Sequence, residues 1–242
     1  MLLQVGVYHS RASAPAARAV VKLRSIAYEA VLAPPIVAAA LRGGCHVMAE
    51  KPSSISSADI HALATLADQE GKLLMLALAN RLLPEVVEAK RLIESGAIGK
   101  VYGVEAHMVA DQTRLTRPGY GERWEASKAR AGGGHLVWLG IHWLDLASFI
   151  TGSAITHVAG FAANVGEEAQ GDVEDSATAA LKFDNGTLGT ITSGYYTDAG
   201  YNSHMKIWGS KGWVHLEPHG PEAEDGTRVS VFCHSPSEGH AQ

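Results

Sequence analysis

Two short stretches of this 242-residue chain carry side chains that could move a proton or steady a negative charge. The first is Glu50-Lys51-Pro52, which closes an apolar run beginning at His46. An ammonium at the carboxyl end of a buried strand is costly to desolvate unless something anionic or polar meets it. Ligands of open α/β sheets bind at such strand ends. The Lys51–Pro52 bond has a reduced trans preference, so a cis turn there could aim the lysine inward. A solvated strand exit accounts for the same residues. The second stretch is His142 with Asp145, three residues apart and therefore on one helix face. An imidazole beside a carboxylate suits proton transfer. A helix histidine satisfied by its own carboxylate is the plainer alternative.

The remaining candidates are weaker. Gly132-Gly133-Gly134 lacks the G-x-G-x-x-G spacing of a dinucleotide turn and follows no clean strand. It reads as a close backbone approach at a helix N-terminus, whose field could still hold an anion. The chain has 12 histidines, but His215, His219, His234 and His240 have no short ligand spacing with carboxylates or thiols, so no metal is expected. Gly-x-Ser-x-Gly is absent, which leaves a hydrolase elbow unsupported.

These residues need elements to position them. Val5–Tyr8 could form a short strand, and Ala14–Leu23 is helix-compatible. Pro34 and Pro35 suit a loop or first helical turn, and Ile36–Arg42 reads as a helix stopped by Gly43-Gly44. His46–Glu50 reads as a buried strand. Ala58–Glu70 reads as a helix capped by Ser56 or Ser57. The apolar run Leu73–Leu78 fits a strand covered on both faces, as in a parallel sheet. Pro84 opens a helix over Glu85–Ser95, closed by Gly96. This is the rhythm of a doubly wound α/β unit.

After Gly99 the pattern changes. Val101–Val109 alternates as a strand, and residues 111–131 read as an irregular loop. One helix is expected over His135–Ile150. Strands then follow closely: Ile155–Ala163, Ser176–Phe183, Thr187–Tyr195, His204–Trp208 and Trp213–Glu217. Asp184-Asn185-Gly186 is a strong hairpin signal, and Gly209–Gly212 a second turn. The fold class expected is therefore α/β plus α+β. An incomplete Rossmann-like parallel sheet domain over residues 1–99 precedes an open antiparallel sheet domain with one prominent helix over 100–242. The tail after Pro218 is rich in Gly, Pro and acids and is expected to be loose.

Composition narrows the partners. Lys plus Arg number 20 against 25 Asp plus Glu, a net charge of −5 that argues against nucleic acid. Two cysteines, Cys45 and Cys233, make no disulfide framework or CxxC pair, and a reducing cytoplasm is the default. No run of 18 apolar residues occurs, so no membrane partner is expected. Met1–Tyr8 carries no positive residue ahead of its apolar run, so no secretory signal is expected.

Taken in order, the blocks resemble a family. Gly44-Cys45-His46-Val47-Met48-Ala49-Glu50-Lys51-Pro52 resembles the AGKHVxxEKP motif of the Gfo/Idh/MocA NAD(P)-dependent oxidoreductases. Asn80-Arg81, with residues Leu92 to Val101, looks like that family's next block. The run from Gly132 to Asp145 is similar to its GGG…GxHxxD helix. Val173-Glu174-Asp175-Ser176-Ala177 with Phe183-Asp184-Asn185-Gly186 resembles VEDxA…FxNG, and Ile207 to Gly212 resembles IxGxxG. The likeness runs from about Ile36 to Pro218.

The resemblance implies an N-terminal Rossmann domain, a C-terminal sheet domain used for homo-oligomer contacts, and NAD or NADP as cofactor. It implies hydride transfer to or from a hydroxyl or keto carbon of a sugar, polyol or inositol-like substrate. Lys51 falls on the family lysine that contacts nicotinamide and the reacting oxygen. His142 falls on the acid/base histidine, and Asp145 on the aspartate that orients or packs the helix; Lys51 and His142 are expected to share one cleft. Glu50, Lys51, Arg81 and Trp124 are the expected cofactor contacts. Trp124, Tyr195, Tyr196 and His204 are candidates to line the pocket. A non-catalytic binding or assembly module and an NAD-dependent glycosidase are the alternatives. The departures are specific: no G-x-G-x-x-G occurs, residues 28–33 do not reproduce TPxxxH, and Trp138 stands where many members carry Asp. The sequence thus looks like a member trimmed at both ends.

Overall fold

The computed structural model describes residues 23–26, 29–166, 170–218 and 229–233. The expected strand at Val5–Tyr8 and the helix-compatible stretch up to residue 22 lie outside them, as does most of the tail after Pro218. The chain divides into two compact units. One holds the described residues up to Leu78 together with Glu122–Gly133; the other holds Ala79–Gly121 and the residues from Gly134 onward. The change of pattern at Gly99 marks where the strand-rich segment starts, whereas the second compact unit starts with the helical residues ahead of it.

The first unit is built on three parallel strands in the order β1-β2-β3, with β1 at Leu23–Ile26, β2 at His46–Ala49 and β3 at Leu74–Leu76. Helix α1 (Ala33–Arg42) has both prolines in its first turn, where their missing N–H groups are no loss. It buries Ala33, Val37 and Leu41, spaced at four residues along one stripe. Gly44 then takes a left-handed φ of 79° and turns the chain into β2. Helix α2 (Ser57–Gln69) adds Leu63 and Ala67, and these close over Val47 and Ala49 to form the unit's core.

Two expectations need correction here. Neither Ser56 nor Ser57 caps α2 through its side chain; Ser54 Oγ instead accepts from Ser56 N–H at 3.0 Å and donates to Asp59 at 2.8 Å. Nor is the Leu73–Leu78 run covered on both faces. Leu73 is 72% exposed and Met75 is 50% exposed, because α1 and α2 cover the opposite face of β3, that of Leu74 and Leu76.

The second unit opens with α3 (Pro84–Glu94) and carries a seven-stranded sheet in the order β10-β9-β8-β4-β7-β6-β5. Its strands are β4 (Val101–Asp111), β5 (Ile155–Ala163), β6 (Ser176–Phe183), β7 (Leu188–Thr197), β8 (Tyr201–Gly209), β9 (Gly212–Leu216) and β10 (Val229–Cys233). The sheet is not wholly antiparallel as expected: β4 runs parallel to β7 and antiparallel to β8. A parallel neighbour needs a long crossover, and the chain between β4 and β7 supplies it. Strand β10 was not foreseen. Alternate residues Val104, Ala106 and Met108 of β4, Met205 and Ile207 of β8, and Val214 and Leu216 of β9 are buried. Helix α3 and the later helix α5 (Ile141–Thr151) pack against this sheet and each other. The expected loop at 111–131 includes three short 3-10 turns and a one-turn helix α4 (Lys128–Ala131).

Candidate functional site

In the first unit, Glu50 and Lys51 leave the carboxyl end of β2. The Lys51–Pro52 peptide bond is cis. Glu50 turns its carboxylate back on the chain, accepting the Lys51 backbone N–H at 2.7 Å, while Ser53 Oγ donates to the Glu50 carbonyl at 2.7 Å. Lys51 is half-buried and Pro52 and Ser53 are buried, so the chain leaves the strand by a fixed route rather than as a solvated tail. Trp124, in the 3-10 turn Trp124–Ala126, is half-buried.

In the second unit, the helix expected over His135–Ile150 does not start as an α-helix. Residues Leu136–Gly140 form a π-helical turn, and α5 proper covers Ile141–Thr151. The buried positions show the change of period: His135, then Gly140, then Trp143, Leu146, Ala147 and Ile150. In a regular helix His135 and His142, seven residues apart, would point the same way to within about 20°. The wide turn inserts the equivalent of one residue, about 100° of rotation, and separates them. His135 is fully buried. His142 is half-buried, its Nδ1 shielded from solvent, and shares its face with Trp138 and Asp145 at helical spacing.

The turn is held by a carboxylate. Glu174 accepts from Gly134 N–H at 2.7 Å and from Leu136 N–H at 3.2 Å, while its backbone carbonyl accepts from His135 N–H at 3.0 Å. The anion anticipated at this helix terminus is therefore the protein's own side chain, placed where free N–H groups and the helix field favour negative charge. Gly134 is obligatory, because a Cβ there would lie 1.8 Å from the Glu174 carbonyl oxygen. The neighbouring Asp175 is engaged by Val165 N–H, Gly166 N–H and Ser176 Oγ.

Beneath the turn, His135 Nδ1 meets Ser193 Oγ of β7 at 2.7 Å, and the Tyr195 ring stands edge-on at 4.3 Å. Nε2 of His135 is buried without a hydrogen-bond partner among the described residues. Burial, reinforced by the positive charge of Arg114 and only partly opposed by Asp175, pushes the His135 pKa down to about 3. The imidazole is therefore neutral at ordinary pH. Burial likewise raises the Tyr195 phenol.

Two arginines fix the exposed side of this helix. Arg81 Nε donates to Asp145 Oδ2 at 2.8 Å and Nη2 donates to Oδ1, a fork-to-fork pair. Asp145 is thus held by Arg81, and the two residues assigned separate roles in the sequence act on each other. Arg114 lies over the Trp138 ring at 4.2 Å. Tyr195 is in the core against His135 and Tyr196 is 45% exposed. His204 stacks on His107 at 4.7 Å across β8 and β4. Among the described residues no cluster of three His, Cys, Asp or Glu side chains is placed to hold a metal.

Sequence reasoning named Lys51, His142 and Asp145 but missed Glu174, Ser193, His135 and Arg114. Glu174 was visible as part of a block, and pairing that block with the glycine triplet would have found the cap. Nothing local marks Ser193 or Arg114.

The comparisons with known proteins agree with this architecture. The description "Oxidoreductase family, NAD-binding Rossmann fold" matches residues 3–78, and "GFO/IDH/MocA C-terminal domain" matches residues 86–215. D-glucoside 3-dehydrogenase of Escherichia coli is 27% identical over 181 residues, covering 69% of this chain and 50% of the relative. Myo-inositol 2-dehydrogenase of Thermotoga maritima is 29% identical over 182 residues, covering 74% and 51%. The crystal structure of an oxidoreductase domain protein from Kribbella flavida superposes with a TM-score of 0.74 at 29% identity, covering 82% of this chain and 55% of that one. The chain spans about half the length of the curated relatives it matches. With the C-terminal match alone spanning more than half of the 242 residues and the N-terminal match preceding it in order, the chain belongs to the Gfo/Idh/MocA family of oxidoreductases.

Proposed function

We propose that this protein is an NAD(P)-dependent dehydrogenase acting on a hydroxyl or keto carbon of a sugar, polyol or inositol-like substrate. In this reading residues 1–99 serve the dinucleotide and residues 100–242 the substrate and contacts between copies of the chain, in a cytoplasmic setting. The observation that carries it is Lys51 at the carboxyl end of a parallel strand, in a chain whose later helix presents His142 on a braced, half-buried face. The names of the curated relatives, a glucoside and an inositol dehydrogenase, support the substrate class.

The described residues fit the nicotinamide end of such a cofactor. Lys51, half-buried, follows the carboxyl end of a parallel strand, the position at which open α/β sheets take ligands. Glu50, Lys51 and Trp124 are the residues assigned to it, with the remaining N–H donors of Arg81. A bound nicotinamide supplies the hydride acceptor or donor. Lys51 steadies the negative charge that develops on the reacting oxygen. His142 takes the hydroxyl proton during oxidation and returns it during reduction. Asp145, gripped by Arg81, keeps the helix that carries His142 from rotating.

The test is reduction of NAD and of NADP by the chain with myo-inositol, an alkyl glucoside, simple polyols and D-glucuronate. Cofactor-dependent turnover of at least one of these is expected, with a change in tryptophan fluorescence on adding NADH or NADPH. No turnover and no fluorescence change up to millimolar cofactor would overturn the reading in favour of an assembly module.

A further inference from the structure

We propose that Arg114, stacked on Trp138, recognises a carboxylate on the substrate, making the substrate class a sugar acid or carboxylated cyclitol rather than a neutral polyol. This rests on the dehydrogenase reading for the word substrate, but the binding site stands on its own geometry.

Trp138 lies one helical turn ahead of His142, so the two side chains share a face. What covers Trp138 therefore borders the ground that His142 faces. Arg114 is that cover, its guanidinium carbon 4.2 Å from the ring centroid. The placement is built. Asp111 caps the 3-10 turn Gln112–Arg114 by accepting the Thr113 N–H at 3.1 Å and the Thr113 hydroxyl. Gln112 ties the turn to β7 by donating to the Tyr195 carbonyl at 3.3 Å. Arg114 itself is half-buried.

Among the described residues Arg114 forms no ion pair, although Arg81, Arg91, Arg123 and Arg130 all do. The acids of the neighbourhood are otherwise engaged. Asp111 accepts from Thr113 and from Gly200 N–H, and Asp175 from Val165, Gly166 and Ser176. The ionisable groups that feel Arg114, His135 and Tyr195, are both held neutral by burial. A half-buried guanidinium beside neutral rings and without an ion-pair partner among the described residues is a planar donor fork awaiting a planar acceptor. The indole beneath it holds the fork flat, a pre-organisation that reduces the ordering lost on binding.

The experiment is calorimetric titration of the whole chain, with NAD present, by D-glucuronate, D-glucose and D-glucose 6-phosphate. Glucuronate is expected to bind at least about 10-fold tighter than glucose, as one charge-assisted pair allows. Arg114→Met should remove that preference and Arg114→Lys should keep part of it. Wild-type affinity for glucuronate, but not for glucose, should weaken as salt is raised; this arm decides the matter if Arg114→Met does not fold. Equal affinity for acid and neutral sugar overturns the proposal. So do tighter binding of the phosphate than of the carboxylate, no binding of glucuronate, or a preference that survives Arg114→Met. The measurement reads binding alone, so selective acid binding without turnover counts against the dehydrogenase reading and not against this one.

Discussion

The side chains of His135 and Ser193 meet at 2.7 Å between the π-helical turn and β7, beneath Gly140, where any Cβ would stand 2.6 Å from the same serine oxygen. The turn is seated on the sheet at that point, and both side chains are fully buried. Removing one partner strands the other in a dry site. His135→Phe and Ser193→Ala should each cost about 1–3 kcal/mol, and the double variant should lose clearly less than their sum. Urea midpoints of the four proteins form the cycle; strict additivity would show that the pair is not coupled.

The same histidine makes stability depend on pH in a defined direction. Its folded pKa, about 3, lies below the ordinary histidine value, so the unfolded chain binds the proton more readily. The stabilisation is therefore complete above about pH 6.5 and is lost as pH falls towards the folded value. His107 adds to this in the same direction, lowered first by burial and then by its neighbour His204, with Glu105 opposing. The wild type should lose roughly 3 kcal/mol through His135 by about pH 4. His135→Phe should show a visibly shallower slope over that range in denaturant titrations. Identical slopes would remove His135 as the origin.

Gly134 and Gly96 offer a matched contrast. Gly134→Ala drives a Cβ into the Glu174 backbone, whereas Gly96→Ala meets nothing within 4 Å and suffers only from its φ of 73°. The first should cost more than about 4 kcal/mol or abolish folding, the second about 1–2 kcal/mol. Thermal melts of both separate a backbone clash from a conformational preference. Comparable losses would mean that Gly134 is not packed as described.

Lys51→Ala and His142→Ala should each abolish turnover while leaving far-ultraviolet circular dichroism unchanged. Turnover equal to wild type in either variant removes that residue from its assigned role. Arg81→Met should act differently, releasing Asp145, whose side chain is only 10% exposed. Because Arg81 itself is 44% exposed, the stability loss should stay near about 1 kcal/mol while kcat falls. A variant with kcat unchanged would mean that the pair does not brace the helix.

Much of this was readable residue by residue. The six-residue apolar run at Leu73, the proline pair in the first turn of α1 and the Asp184-Asn185-Gly186 turn each act over a few residues, so local chemistry sufficed to place them. Strands β5 and β6 begin and end where alternation and turn residues put them. Lys51 and His142 were singled out because their blocks have a characteristic order. What escaped was everything that depends on a neighbour distant in sequence. The exposure of Leu73 and Met75 follows from α1 and α2 packing on the other face of β3, and the parallel pairing of β4 with β7 follows from the crossover.

The sequence by itself determined the kinds of element, the side chains able to do chemistry and the family they belong to, because period, turn chemistry and ordered motifs are properties of neighbouring residues. Only the tertiary structure decided that the glycine triplet is closed by Glu174, that Asp145 is held by Arg81, and that His135 is buried away from the face of His142. The first two join residues between 38 and 64 positions apart. A hydrogen bond or a wide helical turn is set by which surfaces meet, and no local spacing encodes that meeting.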